Sequence, residues 1–329
     1  EKVFDELENG DEIIFDITHA FRSIPMLAIV ILNYAKVLKN VSLSGIYYGA
    51  MEALGNIPVV KEMELKKRFV PIFELTAFDT LLDWSSAIER FTKSGDASKI
   101  KVLAASTLSP LLKQAKGSNK NLTTLNNLSK NLDAFSKNIR TNRKSKNSIT
   151  ESAVKIKQNL SLLENENLIP AFKPLLKHIE KSVSGFGDDR IKNGLSAVKW
   201  CMDHGLVQQG YTMLLELIFT KMIIVASKDP SDLKNRDLAS KALHYIMNKK
   251  TDKSSWLPIS LENEEFTQKM VDFGVKFDFD KKFRANSNLI SQNRNDLNHA
   301  ADIKTADKLI EELEDIYIYF EGILLNSNE

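Results

Sequence analysis

Seven consecutive residues near the carboxyl end, Asn293-Arg294-Asn295-Asp296-Leu297-Asn298-His299, combine a permanent cation, an imidazole and several amides. An arginine stays charged at any working pH and presents a fork that fits phosphate oxygens, whereas a histidine exchanges a proton near neutrality. That pairing suits cleavage of a phosphodiester. On an ideal helix, positions five apart point about 140° away from each other, so Arg294 and His299 do not share one face. The spacing places the block at a helix start, with Asn293 as cap and Arg294 in the first turn. Spacing alone also fits a capped helix with a surface arginine and a half-buried histidine.

A second group of chemistry-bearing residues stands where strands end. Glu12–Thr18 is a short continuous apolar run after Gly10-Asp11, as expected of a buried parallel strand, and it breaks into His19-Ala20-Phe21-Arg22-Ser23. A helix with Ser23 at its cap and Pro25 in its first turn follows to about Asn40, its stripe formed by Met26, Leu27, Val30, Ile31, Tyr34, Val37 and Leu38. Leu43–Tyr48 reads as a second buried strand ending at Gly49, which completes a right-handed strand–helix–strand unit. In open α/β sheets a ligand sits beyond the carboxyl ends of the strands. Those ends carry Asp16, Thr18, His19 and Arg22 on one side, Gly49 and Glu52 on the other. The helix start between them favours a phosphate, and Arg22 would add a forked cation. The same residues also fit a plainer role, with Asp16 and Thr18 capping the helix and His19 on the surface. Ile57–Leu65 and Arg68–Leu75 read as two further strands separated by Lys66-Lys67.

From Thr76 onward the pattern turns helical. Phe78–Phe91 forms one helix stopped at Gly95-Asp96, and Leu122–Ile139 forms an amphipathic seam leading into the basic tract Arg140–Ser148, read as a loop or boundary. Ile149–Glu329 is nearly all helical. Gly205 stops a helix over Gly194–His204, the strongly apolar Val207–Ser227 belongs at the centre of a bundle, and Ser231–Lys249 and Ala306–Leu325 follow. Trp200, His204 and Glu216 read as structural residues of that bundle.

The 329 residues are 43% hydrophobic and 27% charged, ordinary for globular structure with more than one core. A net charge of +2 excludes bulk polycation behaviour. The single Cys201 cannot close an internal disulfide or build a cysteine zinc cluster, which points to a reducing cytoplasm. The longest apolar run, Ile24–Leu32, is too short to span a bilayer, so no membrane partner is expected. The chain opens at Glu1 without a methionine, and a preceding segment carrying the remaining strands of the sheet is expected.

Two resemblances join these observations. Arg294-Asn295-Asp296-Leu297-Asn298-His299 resembles the R-N-x-x-x-H signature of HEPN ribonucleases, an all-α family. The Asp16–Pro25 segment with Tyr48–Glu52 resembles the ligand-sensing CARF domain, of Rossmann-like fold, in type III CRISPR-associated ribonucleases; Asn167–Phe172 and His204–Gln209 resemble further segments of those effectors. The match departs from the family at the front, where the first strand and its ligand loop are absent. The resemblance implies the C-terminal half of an α/β sensor over residues 1–76, a helical connector with a basic loop over 77–148, and an all-α ribonuclease domain over 149–329. It implies a cyclic oligoadenylate activator at Asp16, Thr18, His19, Arg22, Gly49 and Glu52, and no metal or other cofactor. It further implies a single-stranded RNA substrate and a homodimer or higher homo-oligomer whose chains share one cleavage site. There Arg294 would hold the phosphate, His299 would assist proton transfer and Asn295 would orient them. Asp296, which would repel a phosphate, would point away. A ligand-gated RNA-binding regulator without cleavage, a sensor that degrades its own ligand, and a plain helical scaffold are the competing expectations.

Overall fold

The computed structural model describes residues 2–19, 23–116, 118–142, 149–164, 173–301 and 303–326. Contacts divide the chain into two compact units, Glu1–Ser86 and Ala87–Glu329.

In the first unit a short helix, α1 (Lys2–Asp5), precedes β1 (Glu12–Asp16), with Gly10 making the turn between them at a φ of 88°. Helix α2 (Ser23–Lys39) then crosses to β2 (Ser42–Gly49), which pairs in parallel with β1 from Glu12 opposite Ser42 to Asp16 opposite Tyr47. The strand–helix–strand reading therefore stands. The strands that follow it do not. Ile57–Glu62 is a helix, α3, and Leu65–Lys67 is a single 3₁₀ turn. Asn56 accepts a hydrogen bond from the Val59 N–H at 3.2 Å and Pro58 occupies the first turn, so capping chemistry outweighs the β preference of a short apolar run. Of the expected Arg68–Leu75 strand only β3 (Ile72–Glu74) forms, directly after Pro71, and it is antiparallel to β2 in the order β1-β2-β3.

Burial in this unit also departs from the expectation. Ile14 of β1 is 68% exposed, and Met26, Leu27, Val30, Tyr34, Val37 and Leu38 of α2 are exposed, while Leu32, Ala35 and Ile46 are buried. A helix that is apolar nearly all round carries more apolar surface than a three-stranded sheet can cover. Lys36 fixes α2 through ion pairs to Asp79 at 2.6 Å and Asp83 at 3.0 Å. Both carboxylates lie on α4 (Thr76–Ser94), within which the unit boundary falls.

The second unit is helical. Helices α5 (Ser98–Gln114), α6 (Lys120–Arg140), α7 (Ile149–Glu164) and α8 (Lys173–Ser182) lead to α9 (Arg190–Asp203) and α10 (Val207–Val225). Then come α11 (Leu233–Met247), α12 (Pro258–Glu262), α13 (Glu264–Lys276), α14 (Lys282–His299) and α15 (Ala306–Asn326). Helix α10 is central, as its composition predicts: Tyr211, Leu214, Ile218, Met222 and Ile223 are fully buried. Phe135 meets Trp200 edge-on at 4.9 Å and Phe91 lies 5.5 Å from the same ring, a core joining α4, α6 and α9. Gly210 lets α15 approach α10, since a β-carbon there would stand 2.7 Å from Leu313 Cδ2. Of the basic tract, residues 143–148 lie outside the described residues, as does the Asn167–Phe172 segment. Among the described residues no helix is long and apolar enough to cross a membrane.

Candidate functional site

The Arg294–His299 block closes a helix and does not open one. Helix α14 starts at Lys282, so Asn293 is an interior residue, and His299 is the last helical position. Asn293 is 1% exposed, where a cap would stand at the surface. Its Nδ2 donates to Tyr211 Oη at 2.8 Å and to Glu312 Oε2 at 2.7 Å, while its Oδ1 accepts from Lys304 Nζ at 2.9 Å. Lys304 also pairs with Glu312 at 2.6 Å, and Tyr211 donates to the Leu309 carbonyl at 2.7 Å. This network bolts α14 to α10 and α15. Burial pushes the Glu312 carboxyl upward, but the bonds from Lys304 and Asn293 outweigh it and hold the group below its ordinary value.

With that underside fixed, the opposite side of the helix carries the block's other polar groups. On an ideal wheel Arg294, Asn298, Asn295 and His299 fall, in that order, within an arc of about 140°. Asn295, Asn298 and His299 are exposed and Arg294 is half-buried. Gln208 of α10 donates to Asn298 Oδ1 at 2.9 Å. Asp296 points away from this arc but is not exposed: at 8% exposure, its Oδ1 accepts from the Ile303 N–H at 3.3 Å. It thereby closes the loop that Ala300, in the left-handed region at a φ of 49°, begins.

Arg294 differs from Asn293 in carrying a buried donor that is not satisfied. Its buried Nε has no hydrogen-bond partner among the described residues. The guanidinium opens on a cleft of about 400 Å³ walled by α10, α11 and α14, whose lining includes Asn295, Ser291, Glu216, Arg236 and His244. Arg236, the cleft's other guanidinium, is fully occupied. It bonds the Glu216 carboxylate and carbonyl, Thr220 Oγ1 and the Pro230 carbonyl. Glu216 is thus structural, as expected from the sequence. A buried guanidinium N–H left without an acceptor is costly, and an anion entering the cleft would relieve it. Nothing in the chain's pattern singles out Arg236 or His244, which lie more than forty residues before the block and are brought to it only by packing. Among the described residues no cluster of three or more His, Cys, Asp and Glu side chains stands ready for a metal ion.

In the first unit the structure brings Asp16, Thr18 and Gly49 together at the carboxyl ends of β1 and β2. Thr18 Oγ1 accepts from the Gly49 N–H at 2.8 Å, and Asp16 Oδ1 accepts from the Thr18 N–H at 2.8 Å. The Thr18 hydroxyl and N–H together hold the Asp16 carboxyl below its ordinary value. A β-carbon on Gly49 would stand 3.1 Å from Thr18 Cγ2, so glycine permits this closeness. Glu52 accepts a hydrogen bond from the Tyr48 hydroxyl, which lowers its pKa, and His19 is exposed. Arg22 lies outside the described residues.

Against known proteins, the chain aligns with CRISPR-associated protein MJ1674 of Methanocaldococcus jannaschii at 28% identity over 255 residues. The chain is similar to a CRISPR-associated protein. The alignment takes in 75% of this chain and 34% of the relative, so the chain spans about a third of that protein's length. No protein-family model matches the chain.

Proposed function

We propose that this chain is a cyclic-oligoadenylate-activated, metal-independent endoribonuclease of CRISPR antiviral defence, with residues 1–76 part of a CARF-like sensor, 77–148 a connector and 149–329 a HEPN-type domain. The observation that carries the reading is the half-buried Arg294, whose buried Nε has no partner among the described residues, lining a cleft beside Asn295 with His299 one turn onward. The similarity to a CRISPR-associated protein supports the defence setting. The substrate is single-stranded RNA, because only RNA carries a 2′-hydroxyl able to attack its own phosphorus, and that attack needs no protein nucleophile. Arg294 holds the phosphate and offsets the charge that grows on it. His299 takes the proton from the 2′-hydroxyl, a role worth roughly 10²–10⁴ in rate. Asn295 orients the phosphate between them. Two chains meeting about a two-fold axis double this constellation around one scissile linkage.

The activator binds the sheet ends at Asp16, Thr18 and Gly49, with His19, Arg22 and Glu52 as further contacts. It switches the chain on only by binding the cutting state more tightly. One feature favours a second reading, a ligand-gated RNA-binding regulator: Arg294 and His299 diverge along α14, so a chain that never pairs binds phosphate without cutting. Incubating the chain with a fluorescent single-stranded RNA and cyclic oligoadenylates of several ring sizes separates the two. Cleavage that disappears in Arg294→Ala and in His299→Ala supports the enzyme; RNA binding without turnover under every activator supports the regulator.

A further inference from the structure

Attack by a 2′-hydroxyl moves two protons, one off the nucleophile and one onto the departing 5′-oxygen, and one imidazole cannot serve both at the same instant. His299, in either copy of a pair, stands exposed at the end of α14 outside the cleft lining and accounts for the first. A second imidazole lines the Arg294 cleft: His244, in the last turn of α11, on a different wall from α14. Its side chain is exposed. The Asn248 amide nitrogen stands 3.1 Å from His244 Nδ1 and 3.4 Å from Nε2. A donor in the ring plane comes that near to one nitrogen only by standing much farther from the other, so this amide lies over the ring's face. A bond of 2.9 Å from the same amide to the His244 carbonyl keeps it there. Asn248 therefore backs the ring across its face.

The other charged groups lining the cleft are Glu216 on α10, Arg236 and Asp237 on α11, and Arg294 on α14. Both carboxylates are tied to cations, Glu216 to Arg236 and Asp237 to Lys241. That leaves His244 as the cleft's proton donor. Along α14, Ser291 and Asn295 line the cleft and His299 continues their i, i+4 row, about 6 Å further on. In-line displacement puts the attacking and leaving oxygens on opposite sides of phosphorus, so its two proton carriers have to stand apart with the phosphate between them.

We propose that His244 is a second catalytic residue, which protonates the 5′-oxygen as the P–O5′ bond breaks; the proposal rests on the ribonuclease reading of Arg294 and His299. The O2′–P bond forms as the 2′-hydroxyl proton passes to His299. The electron pair of the P–O5′ bond goes to O5′, which takes a proton from the His244 imidazolium. The products are a 2′,3′-cyclic phosphate and a 5′-hydroxyl, and proton exchange with water resets both rings.

The test compares two activated substrates, an ordinary single-stranded RNA and the same RNA with sulfur in the bridging 5′ position, whose thiolate departs without a proton. His244→Gln should cut the oxygen RNA about a hundredfold more slowly than the unaltered chain and the sulfur RNA within a few-fold of it. His299→Ala should stay slow on both. A His244→Gln chain as fast as the unaltered one on the oxygen RNA, or equally slow on both, overturns the assignment alone. An unaltered chain that cuts neither RNA overturns the ribonuclease reading and this inference with it. Thermal midpoints accompany the rates, and His244→Asn repeats the comparison if the glutamine lowers stability.

Discussion

Adjacent residues of one helix, Asn293 and Arg294, meet opposite circumstances. Asn293 spends its whole amide on Tyr211, Glu312 and Lys304, whereas the Arg294 Nε has no partner among the described residues. Asn293→Ala should cost about 2–3 kcal/mol in denaturant unfolding, because it strands buried polar groups that water cannot reach. Arg294→Ala removes a half-buried cation whose Nε is unsatisfied, so it should leave the unfolding midpoint nearly unchanged while RNA cleavage falls at least a hundredfold. A large stability loss in Arg294→Ala would mark that side chain as structural. Glu312 gives the network a signature in pH. Its folded carboxyl titrates below the ordinary value of 4.5, so its contribution is fully present above that value and disappears as the pH falls through the lowered one. Unfolding followed from neutral pH into acid should show stability falling below about pH 4.5, and Glu312→Gln should flatten part of that fall; an unchanged acid limb would remove Glu312 as its source.

Helix α14 shows why spacing read correctly can still be framed wrongly. Seven residues beginning with asparagine resemble a capped start, yet packing from Phe283 through Ile290 already fixes the helix before the block begins. The termination signal was weak because Ala300, not glycine, occupies the left-handed position at a φ of 49°. A left-handed residue with a β-carbon costs roughly 1–2 kcal/mol, so Ala300→Gly should raise stability by about 1 kcal/mol in denaturant titration. No gain would mean that the loop from Ala300 to Ile303 relaxes some other way. In the helical unit the periodic signals were sound. The central helix Val207–Val225 and the seam at Lys120–Arg140 follow from apolar period, and the parallel pairing of β1 with β2 from two apolar runs joined by a crossing helix. Ile57–Glu62 was misread because a short run of β-branched residues has no usable period, and the Asn56 cap and Pro58 decide its fate.

At the scale of the molecule, chemistry was legible only where it is contiguous in the chain. The Arg294–His299 block and the Asp16–Thr18 strand end stand in the sequence as motifs, whereas the cleft wall contributed by Glu216, Arg236 and His244 exists only once α10, α11 and α14 pack. Within one chain, Arg294 and His299 point about 140° apart along the same helix, and neither can be turned toward the other without unwinding it. If cleavage requires both around one phosphate, the second copy is a reactant-like component, and rate should depend on how much of the protein is paired. Specific activity with saturating activator should therefore stay constant at high protein concentration and fall in proportion to dimer as the chain is diluted through its dissociation constant, with sedimentation reporting dimer content in the same samples. Mixing in an excess of the Arg294→Ala chain should poison the unaltered one by capturing it in mixed dimers. A specific activity that holds constant well below the dissociation constant, with no poisoning, would show that one chain cuts alone.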